Sequence, residues 1–467
     1  MSRFESGAIV IRAGETLMTS QSLDSAVEWL NRRISGDTQI NSDLFARLRA
    51  EQLEKGLRHG PRPIGSFLRP LVLSRTKYAA VARAAETLAL AFERLAEHAL
   101  GDETLLAELE LTEREARLAR IDPGYRRLCV TSRLDAYLSD SGFKFLEYNA
   151  ESPAGLVDQM LLEDIFFNLP HMREFLSRHA LWRPRPHERL LRALVAAYRD
   201  WGGAKERPRI AIIDWKGVST ESEFYVLKDY FESEGYPTII ADPHDLDYDG
   251  ETLTVGGFRI DIFYKRVIIH ELLEKFDDTH PLLLAYRDRR VCMANSFRPK
   301  VVHKKLGFAV LSDPRYEHLF TPDQVTTIRR HIPWTRRVRD GATIFDGIEH
   351  DMMNFLRRER ERLVLKPNDD YGGEGVRVGW ATDEREWDEA CARALERPFV
   401  VQELAPVRKE TMPTFTDRLE WQEMIIDFDP FLFLNEAEGG IVRLSSSPLS
   451  NVSSGGGVTS LLVMEDA

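Results

Sequence analysis

The chain has 467 residues, a net charge of −12, and 43% hydrophobic and 30% charged residues. That length exceeds one ordinary core and predicts two or three domains, and the composition is globular rather than disordered. The acidic balance argues against general nucleic-acid binding, which favours a basic face, and no apolar run approaches the ~20 residues that span a bilayer.

Residues 1–125 read as a helical region. Arg12 and Glu15 interrupt its only early apolar stretch, so no signal sequence and no membrane partner is expected. Tyr78–Leu100 carries helical apolar spacing stopped by Gly101, and Leu105–Ile121 suits a second amphipathic helix. Residues 126–170 centre on a hairpin: two strand-like runs flank Ser-Asp-Ser-Gly at 139–142. Gly155–Leu169 follows as a helix ended by Pro170, then a Pro-rich linker, Leu181–His187, and a helix over Arg189–Trp201. Residues 186–290 form an α/β unit. Its strands are Arg209–Trp215 and Pro237–Ala241, a helix spans Glu221–Glu234, and Gly256-Gly257 turns a hairpin between Leu253–Val255 and Phe258–Tyr264. From 291 to 467 come a strand at Val291–Asn295, helices at Pro299–Leu311, Glu349–Glu361 and Glu384–Leu395, and strands over Leu419–Leu434. Cys129, Cys292 and Cys391 have no metal spacing, which reads as reduced core thiols in a cytoplasmic protein.

The run Leu363 to Gly375 reads Leu-Val-Leu-Lys-Pro-Asn-Asp-Asp-Tyr-Gly-Gly-Glu-Gly. A buried strand delivers Lys366, Pro367 ends the pairing, and Tyr371, Gly372, Gly373 and Gly375 form a loop whose amides can approach phosphate oxygens. It lacks the Gly-Lys-Ser/Thr ending of a Walker loop. An ordinary hairpin with a solvated lysine shares this pattern. Downstream, Phe399–Leu404 is an apolar strand ending in Gln402, Glu403 and Leu404, able to offer backbone groups and a carboxylate to an adenine and ribose. In the hairpin, Glu147 and Asn149 lie two apart on one strand face. Asp135 falls across from Leu146 or Glu147, and Arg133 from Tyr148 or Asn149. Oxygen donors of this kind, Asp135, Glu147 and Asn149, suit Mg²⁺; an exposed hairpin with surface charges is the plainer reading. Asp214 and Ser219 follow the first α/β strand, where such sheets bind ligands, and Asp427 and Asp429 are further metal-type acids.

These segments resemble the ATP-grasp superfamily. Glu-Tyr-Asn-Ala-Glu at 147–151 and Arg133-Leu-Asp135 are similar to glutathionylspermidine synthase, and the tail from Arg443 through Asn-Val-Ser-Ser-Gly-Gly-Gly to Gly457 is similar to the end of circularly permuted members. Glu151 stands where that family has Asp, and Ser152 where it often has Thr. The resemblance implies an α+β, circularly permuted ATP-grasp fold preceded by an α/β domain. It implies an ATP- and Mg²⁺-dependent carboxylate–amine ligase acting through an acylphosphate. Its substrates would be a small-molecule or peptide carboxylate and an amine acceptor. By that resemblance Lys366 and one of Lys304 and Lys305, the register favouring Lys305, contact ATP. Arg133 stabilises the transferring group, and Ser152, Asp214, Ser219 and Arg443 meet substrate. A non-catalytic ATP-binding protein and a small-molecule kinase are the alternatives.

Overall fold

A computed structural model describes residues 23–59, 61–370, 373–447 and 456–466. It is a mixed α/β fold of several sheets. The largest is antiparallel and six-stranded. It runs Gly457–Thr459, Glu436–Ser445, Leu419–Phe433, Thr131–Ser139 and Gly142–Asn149, with Lys409–Phe415 also pairing Leu419–Phe433. The early hairpin is therefore an integral part of a late sheet. Helix Arg75–Gly101 covers this sheet. It starts where Ser74 accepts the Lys77 N–H, and its Ala/Leu face buries Val81, Leu88 and Phe92 against Leu134, Phe145 and Phe428. Phe92 stacks on Tyr148 at 4.6 Å, which fixes the back of the hairpin strand.

The α/β unit is a parallel sheet ordered Cys292–Ala294, Ile262–Lys265, Ile210–Ile213, Thr238–Ala241. A third sheet, ordered Thr335–Arg337, Phe399–Glu403, Leu363–Pro367, Arg377–Val378, is antiparallel. Helices Met352–Arg358 and Glu384–Glu396 supply Phe355, Leu356, Trp387 and Cys391 to its core. All three cysteines are buried thiols.

Several expected elements divide differently. Leu105–Ile121 is two helices, Glu103–Glu108 and Glu113–Ala119, because Glu110 takes a positive φ of 52° and Thr112 opens a capping box with Glu115. Pro299–Leu311 is also two, Lys300–His303 and Leu306–Leu311. Lys304 turns extended, and Asn368 takes the Lys305 N–H on its carbonyl and the Leu306 N–H on its side chain. Phe258–Tyr264 splits at Asp261, whose carboxylate holds Lys205 and the Arg209 N–H: Phe258–Arg259 closes the hairpin and Ile262–Lys265 enters the parallel sheet. The helix expected at Glu349–Glu361 is shortened to Met352–Arg358, since Ile348–Asp351 pairs with Ala342–Phe345. Pro170 begins a helix, Pro170–Arg178, rather than only ending one. The expected linker contains a strand, Leu181–Trp182, in a small sheet with Leu461–Met464 and Leu71–Ser74. Among the described residues no helix is long and apolar enough to cross a membrane.

Candidate active site

The hairpin register puts Arg133 opposite Asn149 and Asp135 opposite Glu147. The third sheet places Val364 opposite Gln402 and Lys366 opposite Val400. Side chains from both sheets converge on one cavity of about 170 Å³, walled by Arg133, Asp135, Glu147 and Asn149 on one side and by Lys366, Gln402, Glu403 and Leu404 on the other. Lys305, Gly373, Asp427 and Arg443 complete it. Tyr371 and Gly372, and the 451–455 part of the glycine-rich tail, lie outside the described residues.

Lys366 donates to Gln402 Oε1 at 2.8 Å and to the Leu146 carbonyl at 3.2 Å. Burial pulls its ammonium down to about 8 despite the nearby Glu147. Lys305 donates to the Asp370 carbonyl at 2.6 Å and pairs with Glu147 at 3.2 Å. Burial alone would raise Glu147; Lys305, with Lys366, outweighs it and holds the carboxyl low. Lys304 turns the other way, to Glu115 at 2.8 Å and the Glu110 carbonyl at 2.9 Å. The break at residue 304 thus separates the two lysines, and only Lys305 lines the cavity.

Asp135 is the anchor of a buried charge cluster. It accepts from Arg133 Nε at 2.8 Å, Arg443 at 2.7 Å and Asn149 Nδ2 at 2.8 Å. Burial would raise its carboxyl, but the Arg133 and Arg443 guanidiniums hold it well below the usual range. Arg443 also meets Asp427 at 2.7 Å and Asp429 at 2.9 Å. Asp429 is fully buried and accepts the Ala136 N–H, at the bulge between Asp135 and Ala136. Burial pushes both of these carboxyls up. Asp427 Oδ1 is buried with no hydrogen-bond partner.

A second, larger cavity of about 580 Å³ shares Arg133, Asn149 and Arg443 with the first. Ser152, Asp214 and Ser219 line it, so all four expected substrate residues sit on its wall. Asp158, Glu223 and Arg266 line it too, and sequence reasoning missed them: an acid at a helix start reads as dipole complement. Glu223 accepts the Gly155 and Leu156 N–H groups at 3.2 and 2.8 Å. Asp370 and the apolar pair Val364 and Val378, also missed, line the first cavity. Val364 and Val378 read as ordinary core positions, but the Asp-Asp pair before the glycines was a visible signal. At the wall of the second cavity Glu151 and His303 lie, with Asp369 behind them, close enough to chelate a cation. Lys300, fully buried, already bonds Glu151 at 3.0 Å and Asp369 at 2.6 Å, so an ammonium fills that role.

No family model matches the chain. Over 294 residues it is 26% identical to a protein of Frankia casuarinae described as a "putative glutamate–cysteine ligase 2-2". That match takes in 60% of this chain but only 31% of the relative, so the chain spans under a third of that protein's length. A "putative gamma-glutamylcysteine synthetase" from Methylobacillus flagellatus aligns over 78% of this chain and 83% of its own, at 10% identity and a TM-score of 0.39. A glutathione synthetase-like effector from Globodera pallida, solved in its apo form, aligns over 92% of this chain and 98% of its own, with a TM-score of 0.57 and 12% identity. The mixed α/β architecture described above is similar to the fold of that effector.

Proposed function

We propose that the chain is an ATP- and Mg²⁺-dependent carboxylate–amine ligase of circularly permuted ATP-grasp type. The observation that carries this reading is the convergence of Arg133, Glu147, Asn149, Lys305 and Lys366 on one cavity although they come from segments far apart in sequence. The ligase names of the Frankia relative and the fold shared with the Globodera effector support it. Resemblance to glutathionylspermidine synthase in particular rests on Arg133-Leu-Asp135 and Glu147-Tyr-Asn149-Ala.

The donors fit Mg²⁺. Glu147, Asn149, Asp135 and the unbonded oxygen of Asp427 are all hard oxygen ligands on one wall. Asp135 shares its oxygens with two guanidiniums, so Glu147 and Asn149 would carry more of the coordination. When bound, the ion would offset charge on the phosphates. Lys305 and Lys366 would hold phosphate oxygens, and Gly373 beside them would help to keep water from an acylphosphate. Val364 and Val378, beside the 402–404 strand end, would offer an adenine an apolar wall. Arg133 and Arg443, at the junction of the cavities, face both the transferred phosphoryl group and the carboxylate that receives it. No protein nucleophile is required, since phosphoryl transfer relies on positioning and electrostatics. The acid and the amine occupy the second cavity, near Ser152, Asp214 and Ser219.

ADP release over a panel of amino acids, peptides and polyamines tests the reading. ADP and phosphate should appear only with both an acid and an amine. Glu147→Gln and Arg133→Ala should lower turnover ~10²-fold or more while the protein stays folded. A stable phosphorylated product would make it a kinase, and no ADP release with any pair would leave a nucleotide-binding protein.

A further inference from the structure

The second cavity contains one carboxylate that no described residue holds by a hydrogen bond or an ion pair. Five acids line it. Glu151 is held by Lys300 and the Ile269 N–H, and Glu223 by two backbone N–H groups. Glu271 accepts from the Trp215 indole, and Asp214 from the Trp215 N–H. Among the described residues Asp158 makes no hydrogen bond and no ion pair. It opens the helix Asp158–Phe167, and its Oδ2 lies over Gly155, where an added Cβ would come within 3.3 Å of it. Gly155 also takes a positive φ of 89°, so the carboxylate approaches bare backbone at a turn that disfavours a side chain.

Charges of both signs act on it. Glu223, on the helix Glu221–Ser233, faces Asp158 and repels it; Arg133, from the hairpin, attracts it. Arg266, which also lines the cavity, is spent on Glu223 at 3.8 Å and on the Pro153 carbonyl at 2.5 Å. Lys55 and Arg58 also line the cavity, and Lys55 pairs with Asp164. Arg133 and Arg443 are paired with Asp135 and make no ion pair with Asp158, so an ammonium entering the cavity has the charge to engage it.

We propose that Asp158 receives the amine acceptor, binding it as an ammonium and taking a proton from it so that the nitrogen can attack. This rests on the ligase reading above and deepens it. The acceptor arrives as R–NH₃⁺. Asp158 removes one proton and frees the nitrogen lone pair. That pair forms the C–N bond to the acylphosphate carbon, the carbon–oxygen bond to phosphate breaks, and phosphate leaves with its electrons. The remaining excess proton on nitrogen goes to the departing phosphate, and Asp158 returns its own to solvent. Burial, with Glu223 adding to it, pushes the Asp158 carboxyl up to about 7, which suits a base working near neutral pH. Arg133 and Asn149 belong to both cavities, so the attacking nitrogen reaches the acyl carbon from the Asp158 side.

Hydroxylamine separates this role from a structural one, because it is largely unprotonated at neutral pH and needs no base to attack an acylphosphate. Each of the twenty amino acids and glutathione is offered as the carboxylate with ATP and Mg²⁺. The acceptor is hydroxylamine in one arm and an amino acid or spermidine in the other. Asp158→Asn should lower the ratio of amide to hydroxamate formation ~10²-fold or more, the scale for losing a general base, and Asp158→Glu should recover much of it. The wild-type ratio should level off above about 7 and fall below it, whereas the variant's ratio should have no such plateau and should follow the amine's own protonation, about tenfold per pH unit. Hydroxamate made by the variant is its own evidence of folding. Parallel loss of both products, no change in the ratio, or a wild type that makes hydroxamate but no amide would each overturn the role of Asp158. A wild type that makes no hydroxamate with any carboxylate would overturn the ligase reading and this inference with it.

Discussion

The proposed placement of Lys366 against phosphate makes nucleotide binding depend on pH. Burial holds its ammonium at about 8 in the empty cavity, against an ordinary 10.5. A triphosphate beside it restores the charged form. The sign follows: below pH 8 the lysine is already protonated and binding moves no proton through it, whereas above pH 8 binding takes one up and the affinity falls. One pH unit above that value, about nine-tenths of the empty protein carries neutral Lys366, so ATP should bind ~10-fold more weakly at pH 9 than at pH 7, about 1.4 kcal/mol. Calorimetry in two buffers of different ionisation enthalpy should record uptake of ~0.9 proton at pH 9 and little at pH 7. Lys366→Met should bind ATP about 1–3 kcal/mol more weakly at pH 7. It should also lose the uptake, which excludes Lys265, another buried lysine held near 8 but outside this cavity. Equal affinity at both pH values, or unchanged uptake in the variant, would refute the placement of Lys366 against phosphate.

Asp135→Asn leaves two buried guanidiniums short of a partner and should cost about 3–5 kcal/mol in denaturant unfolding. Lys304→Met and Lys305→Met should part company: the first lowers the unfolding midpoint by taking from buried Glu115 its closest cation and spares ATP affinity, and the second weakens ATP binding. At Gly375 the φ of +69° and a built Cβ 2.6 Å from Pro367 Cγ make alanine a poor fit. Gly375→Ala should therefore slow turnover more than it lowers the melting temperature, since the strain falls on the loop proposed to cover the phosphates.

The hairpin was legible because its signal is local: turn residues between alternating runs set the register, and Arg133, Asp135, Glu147 and Asn149 fell opposite one another as expected. Lys366 and the strand end at 402–404 were legible for the same reason. What sequence could not supply was the environment of each group. Asp135 as an arginine anchor depends on Arg443, 308 residues away. The choice between Lys304 and Lys305 turns on Asn368, which interrupts a run that has the apolar spacing of one helix. Thr112 and Glu110 divided another such run through a cap and one positive φ, features that periodicity does not sense. Asp158 stayed hidden because an acid in the first turn of a helix reads as an ordinary complement to the dipole.

The interleaving of early and late strands has a consequence for how the protein comes to be made. Thr131–Ser139 pairs with Leu419–Phe433, and Thr459 bonds the Arg69 carbonyl across 390 residues. The hairpin leaves the ribosome hundreds of residues before the strand that completes its sheet, so it waits with one edge open. Closing such long loops is slow, and the cavity cannot assemble until residue 443 has arrived. A nascent chain stalled after the α/β unit should therefore bind no nucleotide and should lean on chaperones. ATP added during refolding should act late, trapping the finished sheet rather than seeding it.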